Sequence, residues 1–221
     1  LRSGDPAGAL TAFESSLTIA RNLTANDPNN VKFQHDLSLN LEGIGNAKLT
    51  MSDPARALSN HEESLLIRRR VSKLDPSRKE YRYDISTSLM QIGQARLSMG
   101  NVAGALAAYE ESLAISRALA AEDTGNSKWQ ANVASSINLI GDIKERSGDE
   151  VGARSAHEEA LSISRKLAAM DAKNQDWQRD LALSLSRLGN IRERAGDLAA
   201  ALAAHEEALS ISRKLAAMDA K

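Results

Sequence analysis

The chain has 221 residues, and its 28 basic and 29 acidic residues give a formal net charge of −1 at pH 7. This balance gives no support for binding to nucleic acids or membrane surfaces. The absence of cysteine excludes disulfides, thiolate metal sites and cysteine nucleophiles. Neither a signal peptide nor an apolar stretch of membrane-spanning length is recognisable, and we predict a cytoplasmic protein.

The hydrophobic pattern predicts α-helices along the whole chain. Aromatic residues make up only 3% of the sequence and no apolar–polar alternation persists, which argues against strands. Apolar residues instead recur at intervals of three and four, as Trp177, Leu181, Leu185 and Leu188 do, and so share one helix face. Nine helices are predicted in chain order, alternating between a B type and an A type, at about 5–26, 31–50, 53–74, 79–98, 101–122, 127–146, 149–170, 175–194 and 197–218.

The predicted helix ends carry recognised signals. Asp5-Pro6 and Asp53-Pro54 each combine an N-cap residue with a proline at the first helical position. Gly196-Asp197 combines a glycine suited to a helix C-terminus with the N-cap of the next helix.

The sequence repeats with a fixed interval of 48 residues. The phrase AHEEALSISRKLAAMDAK occupies Ala156–Lys173 and occurs again at Ala204–Lys221. A fixed period is typical of stacked repeats, in which neighbouring helix pairs bury the faces that a single pair cannot cover. We therefore predict an all-α fold, an α-solenoid of stacked antiparallel helix pairs with about 4.5 repeats.

One array is predicted over 1–221: helix B of a truncated first repeat at 5–26, then repeats at about 30–77, 78–125, 126–173 and 174–221. Because the sequence begins at Leu1 in mid-repeat, we expect it to be an excerpt of a longer repeat protein.

Each A helix contains a glycine in its interior, where glycine costs ~1 kcal/mol relative to alanine. The four glycines occupy equivalent positions, at Gly45, Gly93, Gly141 and Gly189. Their recurrence predicts a close approach of helix B, with equivalent alanines as the partners: Ala9, Ala57, Ala105, Ala153 and Ala201.

The repeated core resembles that of the tetratricopeptide repeat (TPR) family. Leu185-x-x-Leu188-Gly189, followed by Ala201-x-x-x-His205, is similar to the family pattern, and the other copies fit in register. The usual TPR period is about 34 residues, so this chain resembles a long-helix variant of the kind found in large bacterial multidomain proteins. The resemblance implies a right-handed superhelix whose A helices line a concave, peptide-binding face.

Three histidines followed by two glutamates, at His61, His157 and His205, resemble the start of a zinc-protease motif, but the second histidine is missing. The same column holds Phe13 and Tyr109, so it accepts any ring. Equivalent residues of stacked helices lie ~10 Å apart, whereas each ligand of a zinc ion lies ~2 Å from it. We therefore predict packing or capping roles, with no metal and no cofactor.

The remaining charged and aromatic patterns have structural interpretations. Glutamates followed seven residues later by arginines predict solvated or inter-repeat ion pairs. Arg68-Arg69-Arg70 is interpreted as a solvated helix end, with a phosphate or acidic-partner contact left open. The aromatic column that heads the A helices is assigned to the core: Phe33, Tyr81, Trp129 and Trp177. No catalytic grouping stands out, and we predict that the chain is not an enzyme.

Function in a repeat array is expected where the copies differ on an exposed face. On the A helices, opposite the apolar stripe, this criterion selects ten partner-binding residues: Asn46, Leu49, Met90, Gln94, Leu97, Asn138, Asp142, Arg146, Asn190 and Arg194. Carboxamides both donate and accept hydrogen bonds, so a row of them can pair with a peptide backbone. An alternative interpretation, plain solvated polar positions, stays open.

The predicted function is a non-catalytic protein–protein interaction scaffold that binds a peptide or partner-protein segment on the A-helix face. The first two repeats are more apolar there, and the last two are more charged. The alternative is a structural spacer or a self-associating array, since nearly identical repeats can pair end to end. Nucleic acid and membrane are not expected as partners.

Overall fold

The computed structural model describes residues 5–219. The array is predicted over 1–221, and its first four and last two residues lie outside the described residues. Within this range every regular element is an α-helix. The helices are α1 Pro6–Asn26, α2 Val31–Thr50, α3 Pro54–Leu74, α4 Lys79–Ser98, α5 Val102–Glu122, α6 Ser127–Arg146, α7 Glu150–Met170, α8 Gln175–Arg194 and α9 Leu198–Asp219. The predicted helix bounds are confirmed to within one residue.

The chain divides into two compact units, Leu1–Ile115 (unit 1) and Ser116–Lys221 (unit 2), and the boundary falls inside α5. In unit 1, α2 packs between α1 and α3, and α3 packs on α4. In unit 2, α7 packs between α6 and α8, and α8 packs on α9. Each unit is thus a stack of consecutive helix pairs, which confirms the predicted all-α solenoid class within each unit.

The corners between helices form as their sequences predict. Asp5 and Asp149 accept hydrogen bonds from the backbone N–H groups of Gly8 and Gly152, each over 2.9 Å. The turns that follow the A helices contain a residue with positive φ: Gly100 (79°), Gly148 (83°) and Gly196 (80°). Because glycine has no Cβ, it adopts this conformation without steric cost, and α4, α6 and α8 end sharply there.

The core of each unit consists of the apolar stripes of the A helices and the facing B-helix residues. In unit 1 it includes Leu65, Ile85, Leu89 and Ile92. In unit 2 the corresponding cluster includes Leu161, Leu181, Leu185 and Leu188. Of the predicted aromatic core column, Tyr81 and Trp129 are buried, while Phe33 and Trp177 are half-buried.

The A-helix glycines accommodate rings from the following B helix. A Cβ added at Gly93 would lie 2.2 Å from the Tyr109 ring, and one added at Gly45 would lie 2.5 Å from the His61 ring. The predicted close approach is therefore present, but the alanines are the wrong partners. Ala57 is buried, yet the ring one helical turn further along fills the space beside the glycine.

Exposed ion pairs connect successive B helices within each unit. Arg21 pairs with Glu63 and Arg69 with Glu111 in unit 1. Arg117 pairs with Glu159 and Arg165 with Glu207 in unit 2. Each of these ion pairs joins two neighbouring repeats. In each pair, the glutamate is the second one of a His-Glu-Glu or Tyr-Glu-Glu segment. Since both side chains are about half exposed, each pair contributes less than ~1 kcal/mol.

The prediction that Arg68-Arg69-Arg70 forms a solvated helix end is wrong for its first residue. Arg68 is only 1% exposed, because position 68 faces the interior between α2 and α4. Its guanidinium pairs with the Glu42 carboxylate over 2.5 Å and donates to the Asp84 carbonyl over 2.8 Å. Arg70 donates to the Pro28 carbonyl across the neighbouring loop.

Candidate partner-binding faces and a buried histidine cluster

The A-helix face of unit 1 is formed by α2 and α4, which contact each other. Of the residues predicted there, Asn46 and Gln94 are exposed. Leu49, Met90 and Leu97 are partly exposed. Unit 1 therefore presents two carboxamides and three apolar side chains on two packed helices.

Several cavities lie in the described part of unit 1, and one of them contains a residue predicted from the sequence. Asn46 lines a shallow cavity of about 300 Å³ between α1 and α2, together with Phe13. A larger cavity, of about 480 Å³, has an apolar floor that includes Leu65 and Leu89. Its rim carries the ion pair between Arg96 and Glu62, 3.0 Å apart. This larger cavity cannot be identified from the sequence, because its walls come from three helices that only the packing brings together.

The corresponding residues of unit 2 interact largely with other residues of the unit. Asn138 is buried, and its amide donates to the Ser184 hydroxyl over 3.2 Å. Asp142 accepts two hydrogen bonds from Arg187, over 2.8 and 3.0 Å. Arg194 pairs with Glu145 over 2.6 Å.

Arg146 and Asn190 are exposed. The structure thus separates the ten predicted residues into those on the surface of unit 1 and those mostly engaged within unit 2.

A histidine lies beneath the charged face of unit 2. His157, on α7, is fully buried, and its Nδ1 lies 3.0 Å from Asn138 Oδ1. Its Nε2 makes no hydrogen bond. That atom lies 3.6 Å from Asp142 Oδ1 and 3.9 Å from Glu145 Oε2. Burial lowers the pKa of His157, and the neighbouring Asp142 opposes that shift, so the imidazole is neutral near pH 7.

The sequence contains a signal for this cluster that the repeat comparison passed over. Only the third repeat combines acidic residues one and four positions after the glycine with a histidine sixteen positions after it. The fourth repeat has Asn190 and Glu193 at those two positions, followed by His205. No single column of the repeat reveals the cluster, because it joins three columns through the packing of α6 on α7.

His61 is the buried histidine of unit 1. Neither of its ring nitrogens makes a hydrogen bond. Burial, reinforced by the positive charge of Arg68, lowers the pKa of His61 to about 4. Its ring rests on Gly45, which supports the packing role predicted for this column.

Stacked helix pairs, ring-on-glycine contacts and variable A-helix faces define an α-helical repeat protein. Two segments, residues 86–119 and 181–216, match family models described as tetratricopeptide repeat. The chain is a TPR-like repeat protein. TPR proteins are generally non-catalytic, and the matches suggest a protein–protein interaction scaffold.

Solved structures of similar fold span nearly all of the chain. MamA is 18% identical, with a TM-score of 0.55 and coverage of 98% of both chains. RapI in its apo form is 14% identical, with a TM-score of 0.69, covering 96% of this chain and 66% of RapI.

A Podosopora anserina putative kinesin light chain with nearly identical TPR-like repeats is 16% identical. Its TM-score is 0.51, with coverage of 93% of this chain and 96% of that one. At these identities the likeness shows the fold alone.

A comparison with curated proteins gives no match. Among the helices of residues 5–219, none combines the length and the apolar character that crossing a membrane requires.

Proposed function

We propose that the chain is a protein-interaction scaffold and that the A-helix face of unit 1 binds an extended or helical peptide segment of a partner protein. The observation that carries this proposal is the exposure of Asn46 and Gln94 beside partly exposed apolar side chains on α2 and α4. Carboxamides can pair with peptide N–H and C=O groups, and the apolar neighbours supply area for side-chain contacts.

The contrast with unit 2 supports this choice. There, hydrogen bonds within the unit already engage Asn138 and Asp142, and an ion pair engages Arg194. A ligand would have to break these interactions before forming its own, and that cost would reduce its affinity. We therefore narrow the ten predicted residues to five: Asn46, Leu49, Met90, Gln94 and Leu97.

A peptide-display selection against the full chain tests the proposal. Peptides are selected on the unaltered protein, and their affinities are measured by fluorescence anisotropy for it and for the double variant Met90→Glu, Asn46→Ala. We expect the double variant to bind at least tenfold more weakly, because a charge replaces an apolar contact and one carboxamide is lost.

Leu66→Glu is the matched control, since Leu66 is strongly exposed on the B helix α3 of the same unit. Circular dichroism should show the same helical content for all three proteins. Peptides that bind the double variant as tightly as the unaltered chain would refute the assignment of the face.

Self-association is the second candidate, and a specific observation favours it. The outer surface of α9 exposes Leu202 and Leu209, at 60% and 48%. The residue equivalent to Leu209 in unit 1, Leu65, is only 8% exposed. Sedimentation velocity at rising concentration should then show dimers that Leu202→Glu dissociates; a monomer at every concentration would exclude this candidate.

A further inference from the structure

We propose that Asp142, Glu145 and His157 form a binding site in unit 2 for a divalent transition-metal ion, for which Zn²⁺ is the probe. These residues come from α6 and α7, and one donor atom from each lies within 4.8 Å of the other two. The proposal is independent of the peptide-binding face of unit 1. It departs from the sequence-based expectation that the histidines bind no metal.

The spacing of the donor atoms is close to that of a formed site. Two ligands at ~2.1 Å from a tetrahedral zinc ion lie about 3.4 Å from each other. His157 Nε2 is 3.6 Å from Asp142 Oδ1 and 3.9 Å from Glu145 Oε2. The two distances from Nε2 exceed that separation by about 0.2 and 0.5 Å, and all three donor atoms lie within 4.8 Å of one another.

His157 is oriented as a metal-ligating histidine requires. Asn138 donates its Nδ2 hydrogen to Ser184, so its Oδ1 is the acceptor facing the ring. His157 Nδ1 therefore carries the hydrogen and donates it to Asn138 Oδ1 over 3.0 Å. The Nε2 lone pair then points toward the carboxylates, and a hydrogen bond to the other ring nitrogen is the usual support of a metal-bound histidine.

The buried Nε2 is the observation that points to a ligand. His157 is fully buried, and this atom has no hydrogen-bond partner. A buried nitrogen without a partner is destabilising, and here its lone pair faces two negatively charged groups. A cation between Nε2 and the two carboxylates would give the nitrogen a partner and would remove the repulsion between the negative charges and its lone pair.

Two arginines hold the carboxylates without occupying every coordination position. Arg194 pairs with Glu145 through Oε1 over 2.6 Å, whereas the oxygen nearest His157 is Oε2. Arg187 donates to both oxygens of Asp142, and a carboxylate oxygen has a second lone pair for an ion. The arginines thereby act as outer supports that orient the ligands, and their positive charges limit the affinity.

The ligand types favour a transition metal over Mg²⁺ or Ca²⁺. Imidazole suits zinc, copper, iron and nickel, while magnesium and calcium prefer ligand sets made of oxygen alone. The array also supplies its own comparison, because the fourth repeat has Asn190 where the third has Asp142. We therefore expect one site per chain.

Isothermal titration of the full chain with ZnCl₂ at pH 7.5 tests the proposal. We expect one Zn²⁺ bound per chain. Asp142→Asn, which makes the third repeat match the fourth at this position, should weaken binding at least tenfold. His157→Tyr, which introduces the residue found at Tyr109 in the same column, should abolish it.

Three further measurements accompany the Zn²⁺ titration. His205→Tyr is the matched control and should leave Zn²⁺ binding unchanged. Circular dichroism should show unchanged helical content for every variant; because Asp142→Asn keeps the side-chain shape, it decides the matter if His157→Tyr unfolds. Co²⁺ should give visible absorption bands that vanish in Asp142→Asn. Absence of stoichiometric Zn²⁺ binding, or binding that Asp142→Asn leaves unchanged, would overturn the proposal.

Discussion

Units 1 and 2 share one helical plan but place their charges in opposite positions. In unit 1 an ion pair between Arg68 and Glu42 lies in the interior, and the A-helix face is made of carboxamides and apolar side chains. In unit 2 the residue equivalent to Arg68 is Ser164, whose hydroxyl lies 3.3 Å from that of Ser184. There the charges lie on the face, in the pair between Asp142 and Arg187.

This inversion shows how a repeat array can differentiate while it keeps the same order of packed helices. The ring-on-glycine contact is present in both units, for example at Gly93 and Gly189. The polar positions around it differ between copies, so unit 1 exposes carboxamides on its A-helix face, whereas unit 2 uses that face for internal pairs. Four predictions on the free energy of unfolding test this comparison. They are given from the largest expected effect to the smallest.

Replacing the buried arginine of unit 1 should have the largest effect on stability. Arg68→Ser introduces the residue found at Ser116 and Ser164 but leaves Glu42 without its partner. We expect the free energy of unfolding to fall by about 4 kcal/mol, as measured by urea unfolding followed by circular dichroism. Adding Glu42→Met, the residue found at Met90, should recover part of the loss.

Ser164→Ala in unit 2 is the corresponding change and should cost only about 1 kcal/mol, since it removes a neutral hydrogen bond. Equal costs for Arg68→Ser and Ser164→Ala would contradict the inversion.

Acid should destabilise the protein through His61. The folded pKa of about 4 lies below the ordinary value of about 6.5, so the unfolded chain takes up a proton first as the pH falls. The stability that neutral His61 provides is complete above pH 6.5 and is lost as the pH falls toward 4, by roughly 3 kcal/mol.

His61→Phe, which introduces the ring found at Phe13, should remove this part of the pH dependence. Urea unfolding at pH 6.5, 5.5 and 4.5 measures it. A slope that His61→Phe leaves unchanged would show that other groups cause the acid sensitivity.

Alanine at the A-helix glycines should discriminate between a fully buried ring and a half-buried one. At Gly93 the added Cβ meets the buried Tyr109 ring, and we expect a loss of about 2 kcal/mol from overpacking. At Gly189 it meets the half-buried His205 ring, which can turn toward solvent. There the gain in helix propensity, about 1 kcal/mol, should offset most of the clash.

Urea unfolding of Gly93→Ala and Gly189→Ala measures the difference. Similar losses for the two variants would mean that backbone contacts, and not the rings, require the glycines.

The smallest effect should come from the exposed ion pairs between B helices. Arg69→Ala in unit 1 and Arg165→Ala in unit 2 should each lower the free energy of unfolding by less than about 1 kcal/mol. The losses should shrink further in 0.5 M NaCl because salt screens exposed charges. A loss in either unit as large as that of Arg68→Ser would show that the pairs are more than surface contacts.

The sequence by itself determined the helices, their ends and their repetition. Periodic apolar positions, Asp N-caps and helix-ending glycines act within a few residues, so they can be identified from local spacing, and the bounds agree to within one residue. The family resemblance came from the same local pattern, and the matches at 86–119 and 181–216 support it.

Only the tertiary structure decided what each polar residue does. Arg68 belongs to a basic run in sequence but is buried against Glu42, and Asn138 belongs to a row of predicted surface residues but binds Ser184 and faces His157. Burial and pairing depend on which side chains neighbouring helices place opposite one another. That opposition depends on the packing of whole helices, which local spacing along the chain does not contain.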